Sequence, residues 1–139
     1  MSAHPDVSFV SPSPVRLYLL RFLARITLDP ATGCWNWTGA MSQSGRRGVF
    51  YPAGKVFGRY WRLNRFVLIC FHGFRDVPRL PTDSWSDWLD RTRRFYAPFD
   101  ASHSCDNARC LNPRHLVFES HVANVTGQTA RRAQSRKNL

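Results

Sequence analysis

Apolar side chains recur at helical spacing in "PVRLYLLRFLARITL" (14–28), and Pro14 suits the first turn of a helix, where its missing amide hydrogen costs nothing. "DPATGC" then reads as a turn, and "CWNWTGA" alternates aromatic and polar residues as a half-buried strand does. The stretch 46–63, "RRGVFYPAGKVFGRYWRL", predicts a twisted antiparallel hairpin turning near "PAG", with Arg46, Arg47, Lys55 and Arg59 on its outer faces beside Tyr51, Tyr60 and Trp61. "RLNRFVLICFHG" (62–73) predicts a buried helix stopped by Gly73, with Cys70 as a small core residue and His72 at the helix end. Beyond it, Ser84 is placed to cap a helix and Asp87 follows three residues later; Trp85, Trp88 and Leu89 then recur with amphipathic spacing. "FDASHSC" reads as a strand end, and "LVFESHVANVTGQTARR" as a strand end followed by a helix that carries Asn124 about one turn after Ser120. Helices and short antiparallel strands together predict an α+β fold.

At 139 residues the chain makes one domain. We divide it into a flexible Ser/Pro-rich arm (1–13), a domain (14–130) with an insertion over 74–99, and a basic tail (131–139). No apolar run reaches the ~18 residues of a membrane span, so no membrane partner is expected. The start lacks the charged and apolar regions of a secretory leader. The four Cys are therefore expected in a reducing compartment, where metal binding is favoured over disulfides. The protein is expected to be intracellular, nuclear in a eukaryote and cytoplasmic otherwise.

Charge changes the picture more than composition does. The formal net charge is +11, carried by 18 Arg and 2 Lys. Such an excess predicts a polyanionic partner, and Arg grips phosphate bidentately. Residues 1–75 hold ten basic and two acidic side chains, whereas six of the nine acids lie between Asp76 and Asp106. One face is therefore expected to be basic, and a basic two-stranded ribbon can enter the major groove of double-stranded DNA.

The densest chemistry is in "ASHSCDNARCLNPRHL" (101–116). Cys105 and Cys110 are five apart and His115 follows five later, which is zinc-like spacing. A structural zinc takes a fourth Cys or His, and Cys34 is the best candidate. The expected site is Cys34, Cys105, Cys110 and His115, closed and structural. His103 is then spare at a strand end, where a neutral imidazole can take a proton from water. The carboxamide of Asn124 suits a hard cation such as Mg²⁺. Strand, zinc-held loop, strand and helix make a ββα-metal layout.

"SHSCDNARCLNPRHLVFES" followed by "AN" resembles the box of the His-Cys box homing endonucleases, closely over about residues 100–128, and "GCWNWTGA" resembles the opening of related zinc-containing HNH proteins. The resemblance implies a Mg²⁺-dependent endonuclease that hydrolyses phosphodiester bonds of double-stranded DNA at a specific site. It places His103 on the general base, Asn124 on the Mg²⁺ ligand, and Cys105, Cys110 and His115 on zinc ligands with Cys34 as the fourth. It also implies a ribbon Arg at the scissile phosphate; Arg59 matches best, with Arg62 and Arg47 as alternatives. Arg46, Arg47, Lys55, Arg59 and Arg62 are the expected DNA contacts. After Asn124 the sequence has no Cys or His, so the family's second zinc site and dimerisation tail are missing and a homodimer is left open. Two other readings compete: a zinc-containing DNA-binding module without catalysis, and a nonspecific toxin or defence nuclease.

Overall fold

In the computed structural model, residues 7, 10, 12–43 and 50–127 are described. Arg46, Arg47 and the basic tail lie outside them. Three helices form the core. Helix α1 (Pro14–Leu23) starts where Ser13 Oγ accepts from the Arg16 amide, and it buries Val15, Leu19 and Leu23 along one stripe. It is shorter than its apolar spacing predicts. Ile26–Leu28 instead forms strand β1, antiparallel to β2 (Trp35–Trp37). β-branched Ile26 and Thr27 face Trp37 and Asn36 across the ladder, and sheet pairing here overrides a helical pattern.

Strands β3 (Met41–Gln43), β4 (Phe50–Val56) and β5 (Arg59–Arg62) form a second antiparallel sheet in that order. The hairpin turns at Phe57–Gly58, not at "PAG". Both residues have positive φ, 48° and 77°, as a two-residue hairpin turn matched to the strand twist requires. "PAG" lies inside β4. Gly54 is there because β4 runs close over α1: a Cβ at this position would sit 2.5 Å from Phe22 Cε1. Gly54→Ala is expected to lower stability by about 1–3 kcal/mol through overpacking, read as a drop in the denaturation midpoint.

Helix α2 (Leu63–Asp76) runs through the centre with Leu63, Phe66, Val67, Leu68, Ile69 and Cys70 buried. Gly73 does not stop it. Gly73 lies inside the helix, where its missing side chain lets α3 (Trp85–Tyr96) approach; a Cβ would meet Thr92 and Trp88 at 3.0 and 3.2 Å. Ser84 caps α3 by accepting from the Asp87 amide, as its sequence predicts. Trp88 is fully buried and its indole donates to Val77 O at 2.7 Å. Trp88 and Leu89 belong to the same core as α1 and α2, and so do Val7 and Val10 from the stretch expected to be a flexible arm.

Strands β6 (Asp100–His103) and β7 (Leu116–Glu119) pair antiparallel, and residues 121–127 form a following helix, α4. The α+β class and the ββα order both hold. This unit is fastened to the core by α2 and α3. Arg65 donates to the carbonyls of Tyr96 and Phe99 at 2.7 and 2.8 Å. Its guanidinium lies 5.2 Å from the centre of the Phe118 ring, and Tyr96 stacks on that same ring at 4.2 Å. Among the described residues no helix is long and apolar enough to cross a membrane.

Candidate functional site

The loop between β6 and β7 is stitched to β2. Trp37 N donates to Arg109 O, Leu111 N donates to Trp35 O, and Asn36 bridges to Cys110. Two carboxamides reinforce the contact: Asn107 donates to Asn36 Oδ1 and Asn112 to Gly33 O, both at 2.7 Å. Gly33, with φ of +76°, bends the chain so that Cys34 turns back toward this loop. The result joins four side chains separated by up to 81 positions in sequence. Ligand atoms of Cys34, Cys105, Cys110 and His115 all lie within 4.8 Å of one another.

The spacing fits a tetrahedral zinc. With Zn–S and Zn–N bonds of ~2.3 and ~2.0 Å, a sulfur and a nitrogen ligand should stand roughly 3.6 Å apart. His115 Nδ1 is 3.6 Å from Cys34 Sγ and 3.4 Å from Cys110 Sγ. The thiols differ in acidity. Burial opposes ionisation of Cys34, yet hydrogen bonds from Thr32, Asn107, Cys110 and His115 outweigh it and bring its pKa to about 6. Burial pushes Cys110 up to about 12 and also raises Cys105. Zinc binding must expel these protons, so affinity rises with pH.

His103, at the last position of β6, is pinned against this knuckle, with Nε2 3.0 Å from Cys110 O. A carbonyl only accepts, so Nε2 carries the proton and the lone pair of the neutral ring is on Nδ1. Burial pulls its pKa below the ordinary imidazole value, partly opposed by the Cys110 carbonyl. The ring does not ligate the cluster.

Asn124 lies on α4, whose amide hydrogen-bonds to Ser120 O. Its carboxamide is at the start of β6 rather than its end: Nδ2 is 3.0 Å from Asp100 Oδ2. His121 Nδ1 meets the same oxygen at 2.7 Å. Burial raises the Asp100 pKa, but hydrogen bonds from Asn124 and His121 prevail and it lies below the usual carboxylate range. Sequence reasoning missed Asp100 and His121. The only signal was an Asp three residues ahead of a spare His.

The basic ribbon divides by strand parity. Lys55 and Arg62 share a face with Tyr51 and Tyr60; Lys55 Nζ is 4.9 Å from the Tyr60 ring centre and Arg62 Cζ 4.4 Å from that of Tyr51. Trp61, expected outside, is buried and stacks edge-on with Phe66. Arg59 alternates with Tyr60 and Arg62, and its guanidinium donates to Asp90 of α3 at 2.9 Å while remaining largely exposed.

Residues 84–138 match the family model described as the zinc-binding loop region of homing endonuclease. Over 107 residues the chain is 27% identical to Protein 2.8 of Escherichia phage T7, with 76% of this chain and 55% of that protein aligned. The chain thus spans about half the length of the curated relative it matches. No solved structure matches it. The matched region begins at the cap of α3 and includes three of the four clustered ligands, so the resemblance read from "SHSCDNARCLNPRHLVFES" stands: this stretch is similar to the zinc-binding loop region of homing endonucleases.

Proposed function

We propose that the protein is a Mg²⁺-dependent endonuclease that cleaves double-stranded DNA as a site-specific, homing-type enzyme, with a structural zinc on Cys34, Cys105, Cys110 and His115. The observation that carries this reading is the imidazole of His103, held by the carbonyl of a knuckle cysteine so that its basic nitrogen is fixed in direction. Held neutral by burial, His103 accepts a proton from the attacking water. That water attacks phosphorus in line, leaving a 5′-phosphate and a 3′-hydroxyl. Asn124 would hold Mg²⁺, which when bound supplies charge stabilisation at the phosphate and the departing oxygen. Arg59 steadies the phosphate by exchanging Asp90 for it. That exchange is cheap, because an exposed ion pair contributes only about 0–1 kcal/mol. Lys55, Arg62, Arg46 and Arg47 contact the DNA backbone. The test is cleavage of supercoiled plasmid by the zinc-loaded protein: nicked or linear product with Mg²⁺ and none with EDTA supports the reading, and intact plasmid under both conditions rejects it.

Affinity for DNA should fall steeply with salt, because each phosphate contact releases a counterion and the logarithmic slope is about −0.9 per contact. With Lys55 and Arg62 both engaged, Lys55→Ala is expected to make the slope shallower by about one, as read by fluorescence anisotropy at several salt concentrations.

One observation favours a second reading. The family match concerns a zinc-binding loop, and a zinc-containing DNA-binding module without catalysis would satisfy it equally. Salt-sensitive binding without any cleavage would select that reading.

A further inference from the structure

We propose that Asp100 is a second protein ligand of the catalytic cation, beside Asn124, and that Asp100, Asn124 and His121 together form a hard-metal site across β6 and α4. The inference rests on the nuclease reading above and adds a residue to it.

Two side chains converge on one atom. Asp100 Oδ2 lies 3.0 Å from the terminal amide atom of Asn124 and 2.7 Å from His121 Nδ1. Strand β6 brings the carboxylate, and one turn of α4 brings both the imidazole and the carboxamide, which are three residues apart and so share a helix face. The oxygen and nitrogen of a carboxamide exchange places on a half-turn about its last bond. After that turn, Asn124 Oδ1 stands where Nδ2 now stands, 3.0 Å from Asp100 Oδ2. Two oxygens at that separation repel unless a cation lies between them. In an octahedral Mg²⁺ shell with bonds of ~2.1 Å, neighbouring ligands are roughly 3 Å apart. The observed 3.0 Å is the length of the hydrogen bond from the Asn124 amide to Asp100, and it equals the edge of such a shell, so the half-turn of Asn124 alone would bring both oxygens to a cation.

Charge supports the same arrangement. A lone carboxamide brings no charge to a divalent ion, whereas a carboxylate brings one. Once Asn124 has turned, its amide hydrogen no longer occupies Oδ2; His121 keeps one lone pair and the other direction faces the ion, and a carboxylate braced in this way by an imidazole is held in place for its metal. Ser102 bonds Glu119 across the same ribbon, so the next carboxylate along is already engaged.

The test uses the full, zinc-loaded chain and Mn²⁺ as the probe, with binding read by electron paramagnetic resonance in the absence of DNA. Asp100→Asn keeps the shape of the side chain and is expected to weaken Mn²⁺ binding roughly 10- to 100-fold, with zinc content and melting midpoint unchanged. Asn124→Ala is measured alongside. If Asn124→Ala weakens Mn²⁺ and Asp100→Asn binds as the wild type does, Asp100 only braces α4 and the inference is overturned while the Asn124 reading survives. If neither variant changes binding, both fail. Should Asp100→Asn not fold, the wild-type protein labelled with carboxyl carbon-13 aspartate answers instead. An inner-sphere carbon-13 coupling to bound Mn²⁺ supports the inference, and its absence overturns it.

Discussion

Cys110→Ser will yield a protein without zinc and without a cooperative thermal transition. Cys110 is fully buried, and its loop is the segment through which β2 and the β6–β7 pair are joined. A serine keeps the volume but not the soft ligand. Structural zinc in small domains contributes about 10–16 kcal/mol of apparent binding energy, whereas a domain of this size has a net stability of only about 5–15 kcal/mol. Removing the metal is therefore a loss of the same size as the whole margin. The measurements are zinc content by chelating dye and the melting curve by circular dichroism. Cys70→Ala supplies the contrast, because Cys70 is buried in α2 away from the cluster and its thiol is pushed far above its ordinary range by burial. That variant should keep its zinc. A Cys110→Ser protein with full zinc and a normal melt would sink the assignment. Lowering pH should act in the same direction as the mutation, since the thiolates must be regained from protons.

His103→Ala is expected to lose about 10²–10⁴-fold in cleavage rate, the usual cost of deleting a general base, while zinc content, melting midpoint and DNA affinity stay close to wild type. The ring donates to a carbonyl and does not coordinate the cluster, so its removal leaves the four ligands intact. Asn124→Ala should also lose cleavage but recover partly at higher Mg²⁺, because it removes a ligand rather than a proton acceptor; His103→Ala should not recover. The pH dependence follows from the sign of the shift. The neutral ring is the active form, so the rate falls as pH drops through the folded-state pKa. Burial has lowered that pKa, and the acidic limb should therefore lie below the ~6.5 of an unperturbed imidazole. Cleavage by His103→Ala at the wild-type rate would remove the proposed base.

The clustering of Cys34, Cys105, Cys110 and His115 was legible because metal ligation restricts both residue type and spacing: three sit in one short loop, and Cys34 was the unassigned thiol ahead of a strand. The cap at Ser84 was legible for a similar reason, being local. What was misread depended on distant partners. Ile26 and Thr27 continue the apolar pattern of α1, and only their pairing with Trp37 and Asn36 makes them a strand. Gly73 looks like a helix stop until α3 is packed against it. "PAG" has turn composition, but the register set by Val56 opposite Arg59 places the turn at Phe57–Gly58. The Asp90 partner of Arg59 and the Asp100 partner of Asn124 are 31 and 24 positions away, beyond any motif.

The contact that orients His103 is made by a main-chain atom, and this has a consequence for how the sequence can drift. A side-chain partner is lost in a single mutational step, whereas the Cys110 carbonyl is present whatever residue stands at that position. The orientation of the ring is inherited by every sequence that preserves the path of the loop. Exposed positions such as Ser104, Ala108 and Arg114 can then vary under selection without passing through an inactive ancestor. Purifying selection is expected to concentrate on the four metal ligands and on Asn107 and Asn112, the two carboxamides that hold that path.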